Sequence, residues 1–160
     1  ISKIYNINGE EIGEQSRNIN LETKVITNNS FELDRSSRGL GIGTKAFAMQ
    51  VKAASEAGFK KIETYAVGSK SPPGYSLANG YYTWALLGFQ PRRSLTPSGG
   101  IVTPGNAFGM PTLNFQKMVS TQRGRDWWRE NGKPFHGEFD LAEGSISRRV
   151  LEAYVKAKGM

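Results

Sequence analysis

Arg38-Gly39-Leu40-Gly41-Ile42-Gly43-Thr44 decides how this chain is read. It lies between an extended stretch and an amphipathic one, so it joins a strand to a helix. Three alternating glycines permit unusual backbone dihedrals and let a ligand come close to the main chain. The first amides of the helix have no intrahelical acceptor, and the helix dipole adds positive character at the same place. Arg35 and Arg38 supply full charge. Such a loop is an anion cradle, and a diphosphate suits it. It is not a Walker loop, since no Gly-Lys-Ser/Thr follows at the right distance. Nor is it a dinucleotide fingerprint, because Gly39, Gly41 and Gly43 do not spell G-x-G-x-x-G. The plainer alternative is a glycine turn that only lets helix and strand pack closely.

Working backward from the loop, Val25 to Leu33 reads as a strand rich in β-branched and aromatic residues near its ends. Ile12 to Leu21 and Lys3 to Ile7 read as two more, joined through the Asn8-Gly9 hairpin signal. Short turns make the three an antiparallel meander. Working forward, a helix runs from about Gly43 to Ala57. Phe47, Val51 and Ala54 lie on its apolar face, and Gly58 is its C-cap glycine. Lys60 to Val67 alternates as a strand. Strand, turn, helix and strand form a crossover unit, so this strand should run parallel to its partner.

Further on, the pattern predicts a short helix over Leu77 to Leu87, ending at Gly88. The stretch from Pro91 to Pro111 is dense in Gly, Pro, Ser and Thr and reads as one long loop. A helix over about Asn114 to Glu130 follows, then a strand over Phe135 to Leu141. Ser145 is the expected N-cap of a last helix carrying Ile146, Val150, Tyr154 and Val155 on one face. We see no internal repeat and no second domain.

The bulk composition narrows the chemistry. At 160 residues the chain is one ordinary domain. It has no cysteine and a single histidine, His136, which excludes disulfides, thiol nucleophiles and multi-histidine metal centres. A serine triad would need His136, and no G-x-S-x-G elbow accompanies it. The chain begins at Ile1, which suggests a trimmed or excised domain. No apolar run is long enough to span a bilayer, and a cytoplasmic location is expected. The net charge of +7 favours anionic partners, with nucleic acid among them.

Arg38, Gly41 and Gly43 spell Arg-x-x-Gly-x-Gly, which resembles motif A of the GNAT superfamily of N-acetyltransferases. The meander before the loop and the amphipathic helix and parallel strand after it fit that family. So does Gly88-Phe89, which resembles the close of its motif B. The resemblance covers about Lys3 to Phe89. It implies an α+β fold with a twisted mixed sheet, an antiparallel meander followed by a parallel βαβ unit, and helices on both faces. One domain would span residues 1–160, with 1–89 as the cofactor-binding part and 90–160 as a divergent part holding the long loop.

The resemblance also implies an acyl-CoA, acetyl-CoA above all, as cofactor. Arg38, Gly39, Leu40, Gly41, Ile42, Gly43 and Thr44 would hold its pyrophosphate. The strand about Phe31 and Leu33 would pair with its pantetheine arm. Where the family often has a tyrosine toward the sulfur, this chain has Trp84. Leu77 and Gly80 stand in the usual asparagine and alanine places. Tyr81 or Tyr82 would then have to supply a proton to the departing thiolate. Glu32 and Glu63, on the strands flanking the loop, are the candidate bases, with His136 behind them. The stretch before the loop is too short for the helices that usually build the acceptor side.

The expected activity is therefore acyl transfer to an amine, on acceptors such as a protein, tRNA or DNA. One alternative is a GNAT-like module without catalysis, of the kind a phage or toxin assembly would use. Another is a basic nucleic-acid-binding domain, suggested by Trp127-Trp128 among Arg123, Arg125 and Arg129. Adjacent tryptophans on a helix point about 100° apart, so at least one should be core.

Overall fold

The computed structural model describes residues 1–66, 80–91, 119–132 and 135–160; of Gly80 and Tyr81 it describes the backbone only. The strands are β1 (Ser2–Tyr5), β2 (Glu11–Asn20), β3 (Val25–Leu33), β4 (Lys61–Ala66), β5 (Gln90–Pro91) and β6 (Phe135–Asp140). The helices are α1 (Ile42–Glu56), α2 (Gly80–Leu86), α3 (Gln122–Asn131) and α4 (Ile146–Ala157). The six strands form one mixed sheet in the order β1-β2-β3-β4-β6-β5.

The meander is antiparallel, and β3 pairs in parallel with β4, as the crossover rule requires. The first strand ends at Tyr5, short of the expected Ile7. Asn6 causes the early stop, because its Oδ1 accepts from the amides of Asn8 and Glu10 and starts the turn there. The C-cap at Gly58 is a Schellman closure. The Phe59 amide reaches the Ala54 carbonyl and the Gly58 amide reaches Ser55, with Gly58 at φ +83°. Gly88 ends α2 in the same way, through Phe89 to Trp84 and Gly88 to Ala85.

Two expectations change. The helix expected over about Asn114 to Glu130 is broken within its described length: Val119 is helical, Ser120 and Thr121 are not, and α3 starts after Thr121, whose hydroxyl accepts from the Gly124 amide as an N-cap. Gln90–Pro91, read as the edge of a loop, pairs with β6 as a short edge strand. Two residues are too few to show a period. The expected loop at Pro91 to Pro111 falls almost wholly outside the described residues.

The four helices given above and the sheet residues Ile26, Ile62, Ala66, Phe135 and Phe139, all among the described residues, share one core cluster. At its centre the Phe47 ring meets Trp84, Phe89 and Phe139 at centroid distances of 5.6, 5.2 and 5.2 Å. The described helices therefore lie against one face of the sheet. Helices for the other face are not among the described residues. That second face carries Lys61, Glu63 and Tyr65 from β4, opposite Asp140, Glu138 and His136 from β6.

Ser145 caps α4 as expected. Its Oγ accepts from the Arg148 amide at 3.2 Å and its hydroxyl donates to the Asp140 carbonyl at 2.7 Å. Replacing Ser145 with alanine removes both bonds. Urea denaturation should report a loss of about 1–2 kcal/mol, the usual scale for a cap. A change within error would mean that water replaces the hydroxyl fully.

Candidate functional site: a forked sheet above a glycine loop

The site begins with a bulge. Ser16 pairs with Ser30 but Arg17 pairs with Asn28, so Asn29 is an extra residue in β3. The bulge changes which side chains face the helices. Before it, Asn28 exchanges amide hydrogen bonds with Gln50 of α1, at 2.9 and 2.8 Å. Beyond it, Phe31 is the residue that approaches α1, 3.5 Å from where a Cβ on Gly43 would stand. Glu32 thus falls on the opposite face, across from Glu14.

The bulge also marks a fork. Pairing between β3 and β4 stops at Asn28 and Thr64, where the Thr64 hydroxyl donates to the Asn28 carbonyl at 3.1 Å. From there β3 continues to Leu33 and β4 to Ala66 without pairing. The edge of β3 beyond Asn28 is left without a strand partner on the β4 side. A cavity of about 820 Å³ fills the fork, within the range of small-molecule sites.

The glycine loop forms one end of this cavity. Gly41 is the N-cap of α1 at φ +77°, and no side chain caps the helix. The Gly41 carbonyl accepts from Lys45, yet the amides of Ile42, Gly43 and Thr44 have no acceptor among the described residues. A half-buried helix end left this way, opening on a cavity, suits an anionic partner. Nothing stands within 4 Å of a Cβ built on Gly39, so the loop is open on that side. The Arg38 guanidinium donates through Nε to the Leu33 carbonyl at 2.7 Å, which ties the loop to the end of β3.

The sequence-predicted residues divide. Phe31, Glu32, Leu33, Trp84 and every residue from Arg38 to Thr44 line the cavity. Glu63 and Tyr82 do not line it. Glu63 lies 2.9 Å from Lys61 on the second face of the sheet, and its carboxylate helps hold the Lys61 ammonium above the ordinary lysine value. Tyr82 is buried, with the Arg129 guanidinium over its ring at 4.4 Å. The Tyr81 side chain and Leu77 lie outside the described residues. His136 is exposed beside Tyr65, with centroids 4.5 Å apart. The sequence reading missed Tyr65 and Thr83, and Tyr154, Lys158 and Met160 from α4 and the turn after it, all of which line the cavity. Only the packing of α4 beside α1 brings those last three there, and no local pattern announces that contact.

The tryptophan pair resolves as helical geometry requires. Trp128 is 1% exposed and packs edge-on to Phe135, while Trp127 is half-buried against the core. Arg125 donates to the Val119 carbonyl. No group of three acidic or histidine residues could hold a metal among the described residues, and no described helix is long and apolar enough to cross a membrane.

A meander, a forked parallel pair, a glycine loop in the fork and a strand inserted at β6 make this a GNAT-like fold. No family model matches the chain, and a search of curated proteins finds no match. Among solved structures it is similar to Tetrahymena GCN5, at 10% identity and a TM-score of 0.49 over 90% of this chain and 69% of that one. It is also similar to nourseothricin acetyltransferase, at 14% identity and a TM-score of 0.48 over 86% of this chain. A third is a GNAT-family acetyltransferase of Staphylococcus aureus, at 15% identity and a TM-score of 0.47, again over 86% of this chain. The chain spans 62% and 65% of the length of the last two. At these scores the likenesses carry nothing about activity, and the functional reading rests on the site.

Proposed function

We propose that this chain binds an acyl-CoA in the fork and transfers its acyl group to an amine. The observation that carries the reading is the set of unpartnered amides at Ile42, Gly43 and Thr44, placed at one end of a cavity between two splayed strands. Those amides, with Arg38, suit a diphosphate. The unpaired edge of β3 from Ser30 to Leu33 offers backbone groups to the amides of a pantetheine arm. Phe31, Leu33 and Trp84 give that arm an apolar wall. The bound thioester would supply an electrophilic acyl carbonyl. The chain's own residues then have to orient it, shed bulk water and take a proton from the amine.

Glu32 is the proposed base. It lines the cavity and is exposed on the second face, the side from which an acceptor can approach. Glu63 stands behind it as part of the Lys61 ion pair. Among the described sheet residues, that face carries Glu14, Glu32, Glu63, Glu138 and Asp140 against the two lysines Lys3 and Lys61. This local negative charge runs against the overall +7 and favours a cationic amine over an anionic macromolecule. Trp84 has no hydroxyl, and buried Tyr82 sits under Arg129, so the described phenols on the cavity wall are Tyr65 and Tyr154.

Titration calorimetry with acetyl-CoA should show saturable micromolar binding to the folded protein. Absence of heat at high micromolar concentration, with folding confirmed by circular dichroism, would remove this reading. Thiol release should follow with polyamines or lysine-rich peptides and be weaker with aminoacyl-tRNA. Binding without thiol release from any amine would favour the non-catalytic module, the reading that Trp84 in the tyrosine place supports.

A further inference from the structure

One wall of the cavity comes from a part of the chain that the motif reading does not reach. Beyond α4, a Schellman turn folds the backbone back. The Met160 amide reaches the Val155 carbonyl and the Gly159 amide reaches Lys156, with Gly159 at φ +71°. This turn places the Met160 Cε 2.6 Å from where a Cβ on Gly41 would stand. It also sets Lys158 on the cavity wall, with its Nζ 5.5 Å from the centroid of the Tyr154 ring. Lys158 has no carboxylate partner among the described residues.

The charges of coenzyme A say what this arrangement can do. The molecule carries a diphosphate and, one ribose away, a monoester phosphate. The loop amides can serve the first. Arg38 already commits its Nε to Leu33, so it is poorly free to serve both. A helix C-terminus would ordinarily repel a phosphate. Here the turn amides cover the Val155 and Lys156 carbonyls, and Lys158 places a full positive charge at that end.

Building on the acyl-CoA reading above, we propose that Lys158, steadied over the Tyr154 ring, binds the ribose 3′-phosphate of coenzyme A. It makes the site selective for CoA over its dephosphorylated form.

Calorimetry with CoA and with 3′-dephospho-CoA tests this on the full chain. The native protein should prefer CoA by about tenfold, the scale of one charge-assisted contact. In Lys158→Met that preference should vanish, with the dephospho-CoA affinity unchanged. Lys156→Met, on the same helix, should keep it. An equal loss for both ligands in Lys158→Met would overturn the proposal in favour of contact with the diphosphate. Unchanged CoA binding in that variant would also overturn it. If the native protein binds neither ligand, the acyl-CoA reading itself fails. If it binds both equally, only the assignment of Lys158 falls.

Discussion

A Gly41→Val protein will bind acetyl-CoA about 100-fold more weakly than the native chain while keeping its fold. Gly41 holds φ +77° at the N-cap of α1, a left-handed conformation that costs a side chain roughly 1–2 kcal/mol and a β-branched one more. The new Cβ would also stand 2.6 Å from the Met160 Cε. That methyl is the far end of a flexible chain and can move. The backbone strain is then relieved in the cheapest available way, by rotating the first turn of α1. Rotation misaims the amides of Ile42, Gly43 and Thr44, which are the proposed contacts. Losing two or three charge-assisted bonds amounts to about 3 kcal/mol, hence the factor of 100. Calorimetry gives the affinity and urea denaturation shows whether the fold survives. Native affinity in a folded Gly41→Val protein would mean that the loop is a packing turn after all. Gly39→Ala meets open space and only the strain of φ +74°, so its loss should be smaller.

Gly88→Ala should destabilise the fold by about 3 kcal/mol or more. Gly88 holds φ +109°. A Cβ there would lie 2.4 Å from the Ser147 carbonyl oxygen and 2.9 Å from Cε2 of the fully buried Phe139. Unlike Met160, neither neighbour can yield cheaply. Ser147 sits in the first turn of α4, and Phe139 is wedged between Phe47 and Phe89. Overpacking of this kind adds roughly 1–3 kcal/mol to the backbone strain. For a domain of ordinary stability, that removes a large share of the total. Urea denaturation measures it directly. A loss under 1 kcal/mol would show that α4 can slide away from α2 and that their packing is loose.

Much of the frame was legible because its causes are local. The Val25 to Leu33 strand, α1 with its Phe47, Val51 and Ala54 face, and the caps at Gly58 and Ser145 all follow from spacing and backbone preference within a few residues. The parallel pairing of β3 with β4 follows from crossover handedness, which one segment also contains. The glycine loop was legible for the same reason. Its glycines, its missing cap and the helix that follows it are contiguous.

Tertiary structure decided the rest. No pattern in Ser30-Phe31-Glu32 tells which residue faces α1, because the bulge at Asn29 shifts the alternation by one and arises from pairing with Arg17 and Ser16. It is this shift that puts Glu32 on the second face of the sheet and Phe31 beside Gly43 of the loop. Glu63 looked equivalent to Glu32 from its place beside the loop, yet β6 lies alongside β4 and Lys61 takes Glu63 into an ion pair. Tyr82, next to the cavity-lining Thr83, is buried in the core under Arg129, whereas Lys158 sits on the cavity wall. A residue's own neighbours in sequence state what kind of element it joins. Whether it reaches the fork depends on contacts made across the fold, such as the packing of Met160 beside Gly41, where a Cβ on that glycine would stand 2.6 Å from the Met160 Cε, which two stretches more than a hundred residues apart create only when packed.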